Sequence, residues 1–261
     1  MSQDEVSTTL TPEGVENTVM VAARLFLPPD CVAELRVLNT PQGVQSGYFD
    51  DPEALVTAAM KLDEQGYEGI YVTLNSVKPE LLAQAPNTVR QHARQTTGDA
   101  DILCRRWILL DLDPVRPAEL SATAEEEEKA WSRAFEVWCW LQDIGFDLCS
   151  LVVAQSGNGY HVLVRVELPN DKASGDLVRR CIEAVALRFS DEEVKVDLGV
   201  GNAGRITKLY GTVAKEGQGN RAAATSPIIL RDAAWRRDRP HPCGNARALG
   251  RHAADRASER L

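Results

Sequence analysis

Long apolar runs are missing from this chain. No stretch of about 18 or more apolar residues occurs, so no membrane span is expected. The opening Met1-Ser-Gln-Asp-Glu5 is acidic and has no apolar signal core, and a cytoplasmic protein is the expectation. Cysteine pairs are missing too. The six cysteines, at positions 31, 104, 139, 149, 181 and 243, never fall in C-x-x-C spacing. That argues against a disulfide framework and against a zinc site. Only four histidines are present, too few for a His-rich metal centre. An overall positive charge is also lacking: the net charge is −9. Lysine disappears after Lys215, and residues 217–261 hold nine Arg against four acidic residues, leaving −14 on residues 1–216. A surface that grips many phosphates should be basic where it grips. Any nucleic-acid contact is therefore expected to be short, confined to a local patch, or supplied by a partner.

What is present is ordinary globular composition, 44% hydrophobic and 26% charged in 261 residues. That is enough for one large domain or two small ones around a core. Residues 1–17 are polar and expected to be disordered, 18–216 to form the ordered domain, and 217–261 to be an irregular, Arg/Ala-rich tail. Strands are predicted at Val19–Phe26, Cys31–Leu38 and Gln45–Phe49, starting an antiparallel sheet, and a further strand at Gly69–Leu74. Helical spacing predicts helices over Asp51–Gln65, Ser121–Ile144 and Asp171–Phe189. A capping box of Thr123 and Glu126 opens the second of these, with Trp131, Ala134, Phe135, Trp138 and Leu141 on its apolar face.

The stretch Trp107-Ile-Leu-Leu-Asp-Leu-Asp-Pro114 reads as a buried strand running out into a loop. Alternation puts Asp111 and Asp113 on one face and Leu110 and Leu112 on the other. Two carboxylates so placed repel unless a cation sits between them, and Mg²⁺ takes such oxygen ligands. A strand ending in two solvated acids is the plainer alternative. Downstream, Ser156-Gly-Asn-Gly159 makes a tight turn into a strand carrying His161, Leu163 and Arg165 on one face. Val194 to Asp197 is a short strand ending in a third carboxylate, followed by Arg205 and Lys208. Three carboxylates, a His beside a Gly-rich turn and two cations are what nucleotidyl transfer needs. Carboxylates can hold two metal ions, a Gly turn lets backbone N–H groups approach phosphate, and Arg and Lys neutralise a triphosphate.

Ile108-Leu-Leu-Asp-Leu-Asp113, Ser156-Gly-Asn-Gly-Tyr-His161, and Val196-Asp197 followed by Arg205-Ile-Thr-Lys-Leu-Tyr-Gly-Thr212 resemble the three motifs of the archaeo-eukaryotic primase superfamily. They look most like the primase-polymerases of phages, plasmids and integrated elements. The resemblance spans roughly Val19 to Thr212. It implies an α+β fold, with an N-terminal α/β module, an RRM-like module and the site in the cleft between them. It implies attack of a 3′-hydroxyl on the α-phosphate of an NTP or dNTP, templated by single-stranded DNA. Asp111, Asp113 and Asp197 would be catalytic ligands of two Mg²⁺ or Mn²⁺ ions. Catalytic His161 and the turn of Ser156, Gly157, Asn158 and Gly159 would hold the triphosphate, with Arg205 and Lys208 assisting. A replicative helicase encoded separately is a further partner the resemblance implies, and no helicase Walker motif is present in this sequence. The match stops at the tail, which is expected to be disordered or the out-of-register end of a longer gene. Two other readings stay open. Leu109-Leu-Asp-Leu-Asp-Pro-Val115 also fits a haloacid-dehalogenase type phosphatase, which needs a parallel sheet and a later Lys. A non-catalytic DNA-binding replication-initiator module is the third.

Overall fold

Among the described residues, antiparallel sheets of four and six strands and a separate two-stranded ladder make up the chain's β structure. A computed structural model describes residues 12–67, 69–117, 120–214, 223–224 and 227–228. In chain order the elements are α1 (Pro12–Phe26), β1 (Ala33–Val37), β2 (Gln45–Phe49), α2 (Pro52–Glu64), β3 (Ile70–Thr73), β4 (Ser76–Val77) and β5 (Ile102–Pro114). They continue as α3 (Ala124–Asp143), β6 (Leu151–Gln155), β7 (Tyr160–Pro169), α4 (Lys172–Phe189), β8 (Val194–Val196), β9 (Ile206–Lys208), β10 (Val213–Ala214), β11 (Ala223–Ala224) and β12 (Pro227–Ile228).

The first sheet has the order β2-β1-β3-β9. Ala33, Leu35 and Val37 of β1 share a core with residues of α1 and α2. Asp51 caps α2 by accepting the Glu53 N–H, and Leu55, Val56, Ala59 and Leu62 form its buried stripe. The strand predicted at Val19–Phe26 is the C-terminal part of α1, and residues 12–17, expected to be disordered, are its first turns. Val19, Ala22, Ala23 and Phe26 are the residues buried there. Their spacing is that of one helix face, and a run of adjacent apolar residues hid it.

The second unit runs β5-α3-β6-β7-α4-β8. Its strands lie in the order β8-β5-β7-β6, every pairing antiparallel. This is the split βαβ arrangement of an RRM-like module. Ile108, Leu110 and Leu112 join a core with Ala130, Ala134, Val137 and Leu141 of α3 and Val178, Ile182, Val185 and Phe189 of α4. Truncating one such buried leucine to alanine typically costs about 2–5 kcal/mol. β4 extends the sheet beside β5 and β12 extends it beside β6. The architecture is α+β, as expected. All the neighbours of β5 (β4, β7 and β8) run antiparallel to it, so the parallel sheet that the phosphatase reading requires does not surround the Asp111 strand.

Two details depart from expectation. On α3 the buried stripe is Ala130, Ala134, Val137 and Leu141, while Phe135 remains 42% exposed. The small alanines face the sheet, and the large rings flank the contact as a ladder. Trp131 lies 5.3 Å from Tyr160, and Phe135 stacks on Trp138 at 5.6 Å. The central strand is also longer than its apolar run, because Arg105 and Arg106 are buried within it. Of the 217–261 tail, only the pairs forming β11 and β12 lie among the described residues.

Candidate active site

The register of the second sheet brings the expected polar residues together. Asp111 of β5 lies opposite His161 of β7, and residues directly opposite point to the same face. On the other side, Leu112 pairs with Val196 and Asp113 with Lys195. One step along, the Asp197 N–H donates to the Asp111 carbonyl at 2.9 Å, which places Asp197 beside Asp111. Leu109, Asp111 and Asp113 all line one cavity, as the period of two requires, while Leu110 and Leu112 turn into the helix-covered core.

The first sheet supplies the opposite wall. β9 pairs with β3, with Tyr71 opposite Lys208 and Val72 opposite Thr207. Tyr71, Ile206, Thr207 and Lys208 line the same cavity of about 150 Å³ as Asp111, Asp113, Ser156, His161, Val200 and Arg205. The Lys208 Nζ sits 4.5 Å from the centre of the Tyr71 ring. Arg205 donates to the Gly199 carbonyl at 2.6 Å, which ties it to the loop after Asp197.

The Ser156–Gly159 turn is shaped by two glycines. Gly157 has φ +125°, in the region open to glycine. A Cβ on Gly159 would come within 2.4 Å of the Leu112 carbonyl and 2.6 Å of Asp113 Oδ1, so the turn lies directly on the carboxylate strand. The Ser156 N–H closes the turn on the Gly159 carbonyl at 2.9 Å. Asn158 is buried and its Oδ1 accepts the Ala122 N–H at 3.1 Å, anchoring the turn to the segment before α3.

His161 is held at Nδ1 and faces a carboxylate at Nε2. Nδ1 is 2.8 Å from the Tyr210 hydroxyl and 3.3 Å from Thr207 Oγ1. Nε2 faces Asp111 Oδ1 at 3.3 Å, an ion-pair distance without hydrogen-bond geometry. Burial pushes the Tyr210 phenol well above the ordinary tyrosine range. The Asp111 charge adds to that shift, and a hydrogen bond with Thr207 opposes it.

The oxygen donors have the chemistry for a hard divalent cation. Asp111 Oδ1 is buried without a hydrogen-bond donor, the condition a bound cation would relieve. Asp197 is placed differently: its Oδ1 accepts the Gly199 N–H at 2.7 Å, and it is not part of the cavity lining. Among the described residues, no three His, Cys, Asp or Glu side chains already stand gathered as a ligand set. Neither Tyr71 nor Tyr210 carries a local sequence signal: Tyr210 lies inside the Arg205–Thr212 motif, but its partner His161 is 49 residues away.

No family profile matches the chain, and no curated protein sequence matches it. Among solved structures it is similar to a primase, RepB′, at 13% identity and a TM-score of 0.45, with 94% of this chain covered. The chain spans 62% of the length of that primase structure. It is also similar to the polymerase domain of Mycobacterium tuberculosis ligase D, solved in complex with DNA. That likeness has 11% identity and a TM-score of 0.43, and covers 83% of this chain and 80% of that one.

Proposed function

We propose that this chain is a metal-dependent nucleotidyltransferase that makes or extends primers on a single-stranded DNA template, a primase-polymerase of the phage, plasmid or mobile-element type. One observation carries the reading. Asp111, Asp113, Ser156, His161, Arg205 and Lys208 come from three separate stretches of sequence and line a single cavity between the two sheets. Asp111 and Asp113, with Asp197 drawn in from its loop, would hold Mg²⁺ or Mn²⁺. The bound ions would neutralise charge on the reacting phosphate and activate the attacking 3′-hydroxyl. The chain's own groups do the rest. Arg205 and Lys208 are the cations for the triphosphate of an NTP or dNTP, with Arg giving a planar fork of donors. On the carboxylate wall, Ser156 of the Ser156–Gly159 turn lines the cavity as a hydroxyl donor, and His161 presents Nε2 beside Asp111.

The test is incorporation of labelled nucleotide on single-stranded DNA, with NTPs and dNTPs supplied separately and either Mg²⁺ or Mn²⁺. Metal-dependent products are expected from the wild type. The Asp111→Ala, Asp113→Ala double variant should lose them by roughly a thousandfold or more. Unprimed templates then show whether the enzyme initiates. Folded, metal-binding wild type that makes no product under any of these conditions would refute the assignment and favour a non-catalytic DNA-binding module.

A further inference from the structure

We propose that Tyr210 is a positioning residue: its hydroxyl fixes His161 in the tautomer that carries its proton on Nε2, facing Asp111 and the cavity. At Nδ1, Tyr210 is fully buried, so its oxygen keeps its proton and needs an acceptor. In the proposed state the nitrogen at 2.8 Å is that acceptor. A neutral imidazole whose Nδ1 accepts must carry its hydrogen on Nε2. At the other end, Nε2 lies 3.3 Å from Asp111 Oδ1.

The ring has little room to escape this arrangement. His161 packs edge-on to the Tyr210 ring at 5.8 Å, and Phe26 of α1 backs that ring at 5.7 Å. Thr207 Oγ1 stands at 3.3 Å from the same Nδ1 and offers a second contact. Tyr210 follows β9 of the first sheet, and His161 belongs to β7 of the second. The bond therefore sets the position of one wall against the other at the site. The positioning of His161 stands on geometry alone. Its consequence for a nucleotide rests on the primase-polymerase reading: an Nε2–H is a donor to a phosphate oxygen, and a bare Nε2 is not.

The experiment is performed on the whole chain labelled with ¹⁵N-histidine. Long-range ¹H–¹⁵N correlations report which ring nitrogen is protonated. The chain has four histidines, and a His161→Gln spectrum identifies the signal of interest. Wild type is expected to show protonated Nε2 and acceptor Nδ1. Tyr210→Phe keeps the ring packing and removes only the oxygen. In that variant a population protonated on Nδ1 should appear, and the KM for nucleotide should rise roughly tenfold with a smaller change in kcat, the weight of one hydrogen bond. Wild-type His161 protonated on Nδ1 overturns the proposal, whether or not the variant folds. A Tyr210→Phe spectrum identical to wild type overturns it as well. A tautomer that shifts as described, in a protein that incorporates no nucleotide, supports the role of Tyr210 while removing the polymerase assignment.

Discussion

Gly159 shows how little freedom single residues have around this cavity. Its Cα lies against the Leu112 carbonyl and the Asp113 carboxylate, with no space for a methyl group between them. Gly159→Ala is expected to lift the hairpin turn off the carboxylate strand, moving Ser156 and His161 with it. Overpacking of this kind typically costs about 1–3 kcal/mol. The expected outcome is a lower urea midpoint together with loss of nucleotide incorporation. Normal activity in a stable Gly159→Ala protein would show that the turn can move without consequence. Asp111 presents the opposite situation, a buried oxygen with too few partners rather than too many neighbours. A residue in that condition is a weakness in an empty fold and an asset once a cation is bound.

Among the elements, α3 carries the clearest local signal. The Thr123 side chain accepts the Glu126 N–H, and Glu126 returns the bond to the Thr123 N–H at 2.7 Å. Thr123→Ala should therefore lower the unfolding free energy by about 1 kcal/mol, read from urea denaturation, without altering nucleotide chemistry. This box was legible because its partners lie three residues apart, and so were the Asp111–Asp113 alternation and the Ser156–Gly159 turn. Patterns of that range need no knowledge of the rest of the chain. α1 was misread because Val19-Met-Val-Ala-Ala23 is a short apolar run, and such a run fits a strand as well as a helix. The true extent of β5 was hidden by Arg105 and Arg106, charged residues that become buried only through tertiary contacts, such as the bond from Arg105 to the Gly201 carbonyl. The same limit concealed Tyr210: nothing within a short window of His161 names its partner.

At the scale of the whole molecule, several carboxylates titrate below their ordinary range. Asp191 is drawn down to about 2, first by the Val194 N–H, then by the Arg133 guanidinium and the Glu193 N–H. The Ser174 backbone N–H lowers Asp171, and the Thr123 backbone N–H lowers Glu126. A folded-state value below the unfolded one means stability that is present above the unfolded pKa, about 4, and is lost as pH falls through the folded one. The thermal midpoint should hold from pH 7 to about 5 and then decline towards pH 2. Asp191→Asn should flatten the lower part of that decline. A midpoint independent of acid over this interval would show that these carboxylates do not favour the folded state. Asp63 runs the other way, since burial raises it, and it offsets a small part of the trend.

One connection in the fold has a further consequence, for synthesis. The RRM-like unit is contiguous, from β5 to β8, whereas the first sheet is not: its fourth strand, β9, is encoded after the whole of the other unit. On the ribosome, β1, β2 and β3 emerge long before their last partner, and the edge of β3 stays open throughout. Closing that edge also delivers Lys208 and, just beyond it, Tyr210. The last strand to leave the exit tunnel and join the first sheet is thus also the one that completes the cavity. An interrupted chain is left with an unsealed edge on β3 and an incomplete cavity.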